Sequence, residues 1–329
     1  MMKRLIGVLA ATVLLFFGQP PAARANDALI KHIEAVTSPL VGRVGVAAQL
    51  IGRSEVIAVN GDETFPMASA YKIPAAIAVL KKIETGGLSL DRMVELKSDD
   101  IVAGDNLIAL NFVHPGIQLS VANLIEVMIT LSDNSATDKV FELAGGPAAI
   151  TASMRMLAIA GMRIDRNTKD LMTDMLDMKV PGTAAAVTEF VRKNPGAAAK
   201  FATLSKDTAY EADPRDQSTP IAMLDLLMQI DSAKAVGGTS RDFLLASMSR
   251  TSTGAGRIKA LLPRGTPVAH KTGTSGGVAN DVGYVTLPDG RRFAIVVFTK
   301  SSDTPPPDRD RAIAEVARTL YDYYSTLGR

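Results

Sequence analysis

The segment Phe65-Pro66-Met67-Ala68-Ser69-Ala70-Tyr71-Lys72-Ile73-Pro74 is where the chain changes character. Ahead of it, residues 43–51 and 55–60 are rich in valine and isoleucine and are separated by Gly52-Arg53-Ser54, the pattern of a β-hairpin. From Ala68 to about Ala160, apolar residues recur at helical spacing. Helices are expected over 69–83, 120–131, 135–143 and 147–158, with the glycine pairs 86-87 and 145-146 as stops. Further helices are expected over 27–37, 183–193, 221–229 and 240–249. Strands return at 267–272, 282–287 and 292–299, Pro288-Asp289-Gly290 turns the last two, and an amphipathic helix over 309–326 closes the chain. Strands at both ends most simply join one antiparallel sheet. The reading is therefore an α/β plus all-α fold, with a five-stranded antiparallel sheet flanked by helices and a helical domain inserted into it. Residues 26–66 and 213–329 form the α/β part and 67–212 the helical part. Such an arrangement leaves a cleft, a common place for a small-molecule site.

Composition narrows the function classes. The 329 residues are 47% hydrophobic and 21% charged, as in a soluble globular protein. A net charge of +2, aromatics at 5% and the absence of tryptophan argue against a nucleic-acid partner. Lys3 and Arg4, an apolar run over 5–18 and a polar stretch ending in Ala23-Arg24-Ala25 have the layout of a secretory leader, with cleavage expected after Ala25. The run is short for a spanning helix, so export to the periplasm or medium is expected rather than stable membrane insertion. Zero cysteine excludes disulfides and a thiol nucleophile. The three histidines, at 32, 114 and 270, do not cluster as metal ligands, no G-x-S-x-G elbow accompanies them, and no metal or cofactor is implied.

Three short motifs carry the chemistry. Ser69-Ala70-Tyr71-Lys72 is S-x-x-K, Ser132-Asp133-Asn134 is S-D-N, and Lys271-Thr272-Gly273 is K-T-G. A serine at a loop-to-helix junction is ordinarily an N-cap. Lys72, however, lies three residues on, sharing a helix face with Ser69, in apolar surroundings. Burial disfavours its ammonium form, and a neutral Lys72 can take the Ser69 proton. In the second motif, Asp133 or Asn134 is expected to cap the helix that follows, while Ser132 relays a proton and Asn134 binds a substrate amide. On a sheet edge, Lys271 and Thr272 offer a cation and a hydroxyl to a substrate carboxylate. Gly273 permits close backbone approach, and the Thr274 N–H joins that of Ser69 as an oxyanion donor.

In order, spacing and flanks, the three motifs resemble those of class A serine β-lactamases, within the penicillin-recognising serine enzymes. Phe65 to Ala68, Ile73-Pro74, Ile129-Thr130-Leu131, Ala136-Thr137, Thr253-Gly254, Arg257-Ile258, Leu262-Pro263, Asp213 to Asp216 and Thr219-Pro220 extend the likeness over the mature chain. The resemblance implies the serine β-lactamase/transpeptidase-like fold, a Ser69 acyl-enzyme, a small-molecule β-lactam substrate and a monomer. It breaks at the omega loop. Where the family has R-x-D-R-x-E-x-x-L-N, this chain has Arg163-Ile164-Asp165-Arg166-Asn167-Thr168-Lys169-Asp170-Leu171-Met172. Thr168 stands in the place of the glutamate that activates the deacylating water, Met172 in the place of the asparagine, and most of 173–212 is surplus to the pattern. An aromatic gate is also missing from 102–108.

Losing a positioned base costs roughly 10²–10⁴-fold in its step. Asp170 and Glu211 are the carboxylates considered as substitutes; each is otherwise an ordinary solvated surface group. β-Lactam hydrolysis is thus the leading expectation. A D,D-peptidase or esterase on the same scaffold and a slowly deacylating penicillin-binding sensor are the rivals that the altered loop raises.

Overall fold

The computed structural model describes residues 21–104, 107–112, 114–197 and 206–328. Five strands form one antiparallel sheet: β1 (Arg43–Leu50), β2 (Val56–Val59), β7 (Val268–Ser275), β8 (Val278–Thr286) and β9 (Arg292–Lys300), in the order β2-β1-β9-β8-β7. Alternation of side chains along a strand gives the sheet two apolar faces. Val46, Ala48, Ile295 and Val297 pack under α1 (Pro21–Thr37) and α12 (Pro306–Thr326), against Leu29, Ile33, Ile313, Val316 and Leu320. Ala47, Val282, Ala294, Val296 and Phe298 face the other way and join the core of the helical region.

That region is built around α2 (Lys72–Glu84), in which every residue from Lys72 to Leu80 is buried. A helix apolar all round must be enclosed. The surrounding shell is α4 (Val121–Thr130), α5 (Asn134–Ala144) and α6 (Pro147–Met156), with α10 (Pro220–Asp231) and α11 (Gly238–Ser249) between them and the sheet. The short helix α3 (Leu107–Asn111) and the two-stranded sheet of β4 (Met93–Leu96) and β5 (Ile117–Ser120) flank this core. A second small sheet pairs β3 (Phe65–Pro66) with β6 (Gln217–Ser218), tying the segment before Ser69 to the end of the omega region.

The surplus segment folds as α7 (Thr168–Met175), α8 (Ala184–Lys193) and α9 (Thr208–Ala212). Val102 bridges Thr183, and the Ala184 N–H donates to the Ile101 carbonyl at 2.8 Å. Leu176, Met178 and Val187 bury against Ala103 and Phe190, so this segment has a small core of its own.

Three details differ from expectation, and a fourth expectation lies mostly outside the described residues. Ser69 lies in a 3-10 turn, Ala68–Tyr71, and the α-helix starts only at Lys72. The two strands of the K-T-G hairpin, β7 and β8, are longer than periodicity suggested. Residues 278–281 include Asn280 and Asp281, types depleted from strands, yet both are buried and partnered here. Helix α9 forms within 205–216, a polar tract where the sequence predicts no helix. The expected leader falls mostly on residues 1–20, outside the described residues, while α1 begins at Pro21 and runs through the expected cleavage position. Among the described residues no helix is long and apolar enough to cross a membrane.

Asn280 couples the sheet to the chain just before Ser69. Its Nδ2 donates to the carbonyls of Pro66 (2.8 Å) and Met67 (3.0 Å), and its Oδ1 accepts from the Thr299 N–H at 3.0 Å. Leaving such groups buried without partners costs about 1–3 kcal/mol. Asn280→Ala is therefore expected to lower the unfolding free energy by about 2 kcal/mol, read from the urea midpoint. An unchanged midpoint would show that these bonds do not hold the Ser69 segment to the sheet.

Candidate active site

Neither the 3-10 turn nor α2 takes a side-chain N-cap, so Ser69 is not serving as one. Ala68, just before it, adopts a left-handed backbone (φ 44°), as does Ser132 across the cleft (φ 60°). Such conformations cost non-glycine residues of order 1–3 kcal/mol and persist only where the surroundings impose them. Around Ala68, the imposing contacts are the Asn280 bonds and the Met67 N–H donating to the Asp216 carbonyl at 3.0 Å.

Strand β7 presses on the same turn. A Cβ on Gly273 would lie 2.5 Å from the Met67 carbonyl oxygen and 3.1 Å from the backbone nitrogens of Ser69 and Ala70. Only glycine allows the strand this close, and the closeness brings the N–H groups of Ser69 and the K-T-G strand to one end of the cleft. Arg257 supports the strand from behind, donating to the carbonyls of Gly273 (3.0 Å) and Asn280 (2.8 Å), to Thr274 Oγ1 (2.7 Å) and to Asp310 (2.8 Å).

Two buried lysines meet at one hydroxyl. Lys72 Nζ donates to the Ser132 carbonyl (2.7 Å) and Asn134 Oδ1 (3.0 Å) and lies 3.1 Å from Ser132 Oγ. Lys271 Nζ donates to Ser132 Oγ (3.0 Å) and the Thr272 carbonyl (2.8 Å). Both side chains are wholly buried. Burial brings Lys72 down to about 7, with Asp133 and Asp138 pulling the other way. Lys271 is held well below the ordinary ammonium value by burial first and by Lys72 next. Asp133 caps α5, accepting from the Ala136 N–H at 2.8 Å, and also accepts from the Ile108 N–H at 2.8 Å. Asn134 Nδ2 donates to the Ala103 carbonyl at 2.9 Å, and Thr272 Oγ1 lies 2.7 Å from Thr253 Oγ1.

Ser69, Ser132, Asn134, Thr272 and Thr274 line one cavity of about 430 Å³, with Lys72 and Lys271 bonded to its wall. The substitute carboxylates do not. Asp170 is exposed on the first turn of α7. Glu211 accepts from Ser301 Oγ at 2.5 Å, under the glycine turn between β7 and β8. Leu171, Met172 and Met175 supply an apolar wall, and Asp207 and Tyr210 another part of the rim.

The residues that the motifs did not point to are Tyr71, Asp138, Asp207 and Asn280. For Asp138 a signal existed: it lies four residues after Asn134, hence on the same face of α5. Its carboxylate accepts from the N–H groups of Thr168 (2.7 Å) and Lys169 (3.0 Å), and burial raises its pKa. Tyr71 Oη lies 2.7 Å from Thr168 Oγ1. Among the described residues no group of three or more histidine, aspartate or glutamate side chains converges as metal ligands do.

A cavity lined by Ser69, two buried amines whose pKa values burial lowers, and backbone N–H groups that Gly273 lets approach are the kinds of group that acyl transfer uses. Comparison with known proteins agrees. Residues 28–324 match the model of the Beta-lactamase enzyme family. The chain is 28% identical over 331 residues to beta-lactamase VEB-1 of Pseudomonas aeruginosa, covering 98% of this chain and 99% of that one. It is 31% identical over 326 residues to beta-lactamase CTX-M-8 of Citrobacter amalonaticus, covering 98% of each. Among solved structures, a beta-lactamase from Chitinophaga pinensis superposes with a TM-score of 0.75 at 30% identity, over 90% of this chain and 99% of that one. The TLA-1 extended-spectrum beta-lactamase superposes with 0.76 at 27% identity, over 92% and 99%. The chain belongs to the β-lactamase enzyme family, and its fold is that of the class A enzymes.

Gly273→Ala tests the geometry. The added methyl meets backbone, which yields less readily than a flexible side chain. A displacement on the order of 1 Å at a reacting group costs about 10²-fold, so acylation is expected to fall about 10²-fold with the fold retained by circular dichroism. A variant acylated at the parent rate would show that the approach of β7 to Ser69 is not needed.

Proposed function

We propose that this protein hydrolyses β-lactams through an acyl-enzyme on Ser69. The observation that carries the reading is the meeting of Lys72 and Lys271 on the Ser132 hydroxyl, beside a serine that caps no helix. Two of the Lys72 contacts are to pure acceptors, the Ser132 carbonyl and Asn134 Oδ1, which the two hydrogens of a neutral amine satisfy. Its lone pair is then available for a hydroxyl proton. Ser69 Oγ attacks the lactam carbonyl and its proton passes to Lys72. The developing oxyanion is held by the N–H groups of Ser69 and Thr274. As the ring C–N bond breaks, the Ser132 hydroxyl gives its proton to the leaving nitrogen and is resupplied by Lys72. Lys271 and Thr272 hold the substrate carboxylate, whose negative charge keeps Lys271 protonated, and Asn134 holds the side-chain amide. Water then hydrolyses the Ser69 ester.

The leader pattern supports action outside the cytoplasm, in the periplasm or the medium.

The test is intact mass against time after adding a penicillin and a cephalosporin, with Ser69→Ala alongside. An adduct that forms on the parent, clears as hydrolysed drug accumulates, and never forms on the variant is expected. An adduct that never clears would make the protein a penicillin-binding sensor, and no adduct with no hydrolysis would remove β-lactams as substrates.

The acylation rate should also follow Lys72. Its pKa in the folded protein is lowered to about 7, so the base is present above that pH and is lost below it. Acylation is expected to fall about tenfold per pH unit on the acid side of 7. A rate flat down to pH 5 would exclude neutral Lys72 as the base.

A further inference from the structure

The omega loop of this chain has no glutamate at Thr168, and the two carboxylates that the sequence offers in its place, Asp170 and Glu211, do not line the cavity. The Thr168 side chain does. It is nearly buried, at 5% exposure, and its hydroxyl lies 2.7 Å from Tyr71 Oη. On its other side stands Asp138, whose two oxygens accept from the backbone of Thr168 and Lys169 and whose ionised form the Thr168 hydroxyl helps to stabilise.

We propose that Thr168 and Asp138 together release the acyl group, Thr168 touching the hydrolytic water and Asp138 acting through it. The inference rests on the Ser69 acyl-enzyme proposed above. A threonine hydroxyl has one proton and two lone pairs. With Tyr71 donating to one lone pair and the Thr168 proton directed to Asp138, the second lone pair faces the cavity. Water placed there gives a proton to Thr168 Oγ1 as that oxygen gives its own to Asp138. The hydroxide oxygen adds to the ester carbonyl, and as the Ser69 C–O bond breaks Asp138 returns its proton to Thr168 Oγ1 while Thr168 passes its own, through the cavity that Thr168 and Ser69 both line, to the departing Ser69 Oγ, leaving a free serine hydroxyl and a carboxylic acid product. No co-reactant other than water is required.

Asp138 suits the task because burial raises its affinity for a proton, while two backbone N–H groups fix it in place. The charged and titratable groups around it are Lys72, Lys169 and Tyr71. Asp207, another carboxylate on the cavity wall, accepts from the Tyr210 N–H at the entrance to α9.

The experiment is single-turnover intact mass on the full chain, separating the rate at which a penicillin adduct forms from the rate at which it clears. Thr168→Val keeps the shape and the backbone bonds to Asp138 but removes the hydroxyl. Thr168→Ser keeps the hydroxyl, Asp138→Asn removes the base and retains an oxygen for one backbone N–H, and Asp170→Asn, at an exposed carboxylate off the cavity, is the control. With Thr168→Val and Asp138→Asn the adduct is expected to form at the parent rate and to clear at least about 10²-fold more slowly. Thr168→Ser and Asp170→Asn are expected to clear within about threefold of the parent. Clearance by Thr168→Val at the parent rate overturns the relay and leaves Ser69 acylation standing. Formation and clearance slowed equally in Thr168→Val, or slow clearance confined to Asp170→Asn, also overturns it. No adduct on the parent overturns the acyl-enzyme and the relay with it.

Discussion

The structure depends on keeping an amine out of water. Lys72 occupies the first turn of the most enclosed helix of the molecule, where an ammonium ion is costly and a neutral amine is not. Much else follows from that burial. The helix must be apolar all round, so it requires a shell on every side. The polar atoms left at its start must find fixed partners, and they do so at Ser132 and Asn134 rather than in solvent. The left-handed residues Ala68 and Ser132, one on each side of the cleft, are the places where the backbone yields so that these partners can meet.

The second lysine makes the arrangement conditional on substrate. Lys271 is disfavoured as a cation by its burial and by Lys72, yet an approaching carboxylate reverses that preference. A bound anion would charge Lys271, and a charged Lys271 would in turn help keep Lys72 neutral. The Ser132 hydroxyl, 3.1 Å from Lys72 Nζ and 3.0 Å from Lys271 Nζ, is the point at which the two titrations meet.

Most of this was legible in the sequence because it rests on short-range patterns. The five strands and the enclosed helices are given by periodicity, and the three motifs lie on elements whose junctions the caps and glycines mark. What escaped were contacts made by polar residues inside regular structure. Asn280 and Asp281 read as strand breakers because their partners, the Pro66 and Met67 carbonyls and His270, are set by tertiary approach alone. Helix α9 lies in a tract with few apolar residues, and its single buried anchor, Tyr210, has no periodic companion to announce it. Asp170 and Glu211 looked eligible because sequence distance from Thr168 or from the exit motif says nothing about which way a side chain faces.

On the proposed mechanism, a threonine in place of the glutamate bears on the acylation step as well. A carboxylate about 4 Å from an amine, at an effective dielectric near 20, favours the ammonium by roughly 4 kcal/mol. A group of that kind at position 168 would hold Lys72 protonated and unable to take the Ser69 proton directly. Here position 168 is uncharged, and Asp138 acts on Lys72 less than burial or Asp133 does. With the negative charge on Asp138 and none at 168, the proposed role of Lys72 as a base near neutrality is favoured, while the Thr168 hydroxyl beside Tyr71 Oη keeps a polar group at the cavity wall. On the proposed mechanism, the position that lacks the family's deacylation glutamate is thus the same one that leaves Lys72 suited to acylation.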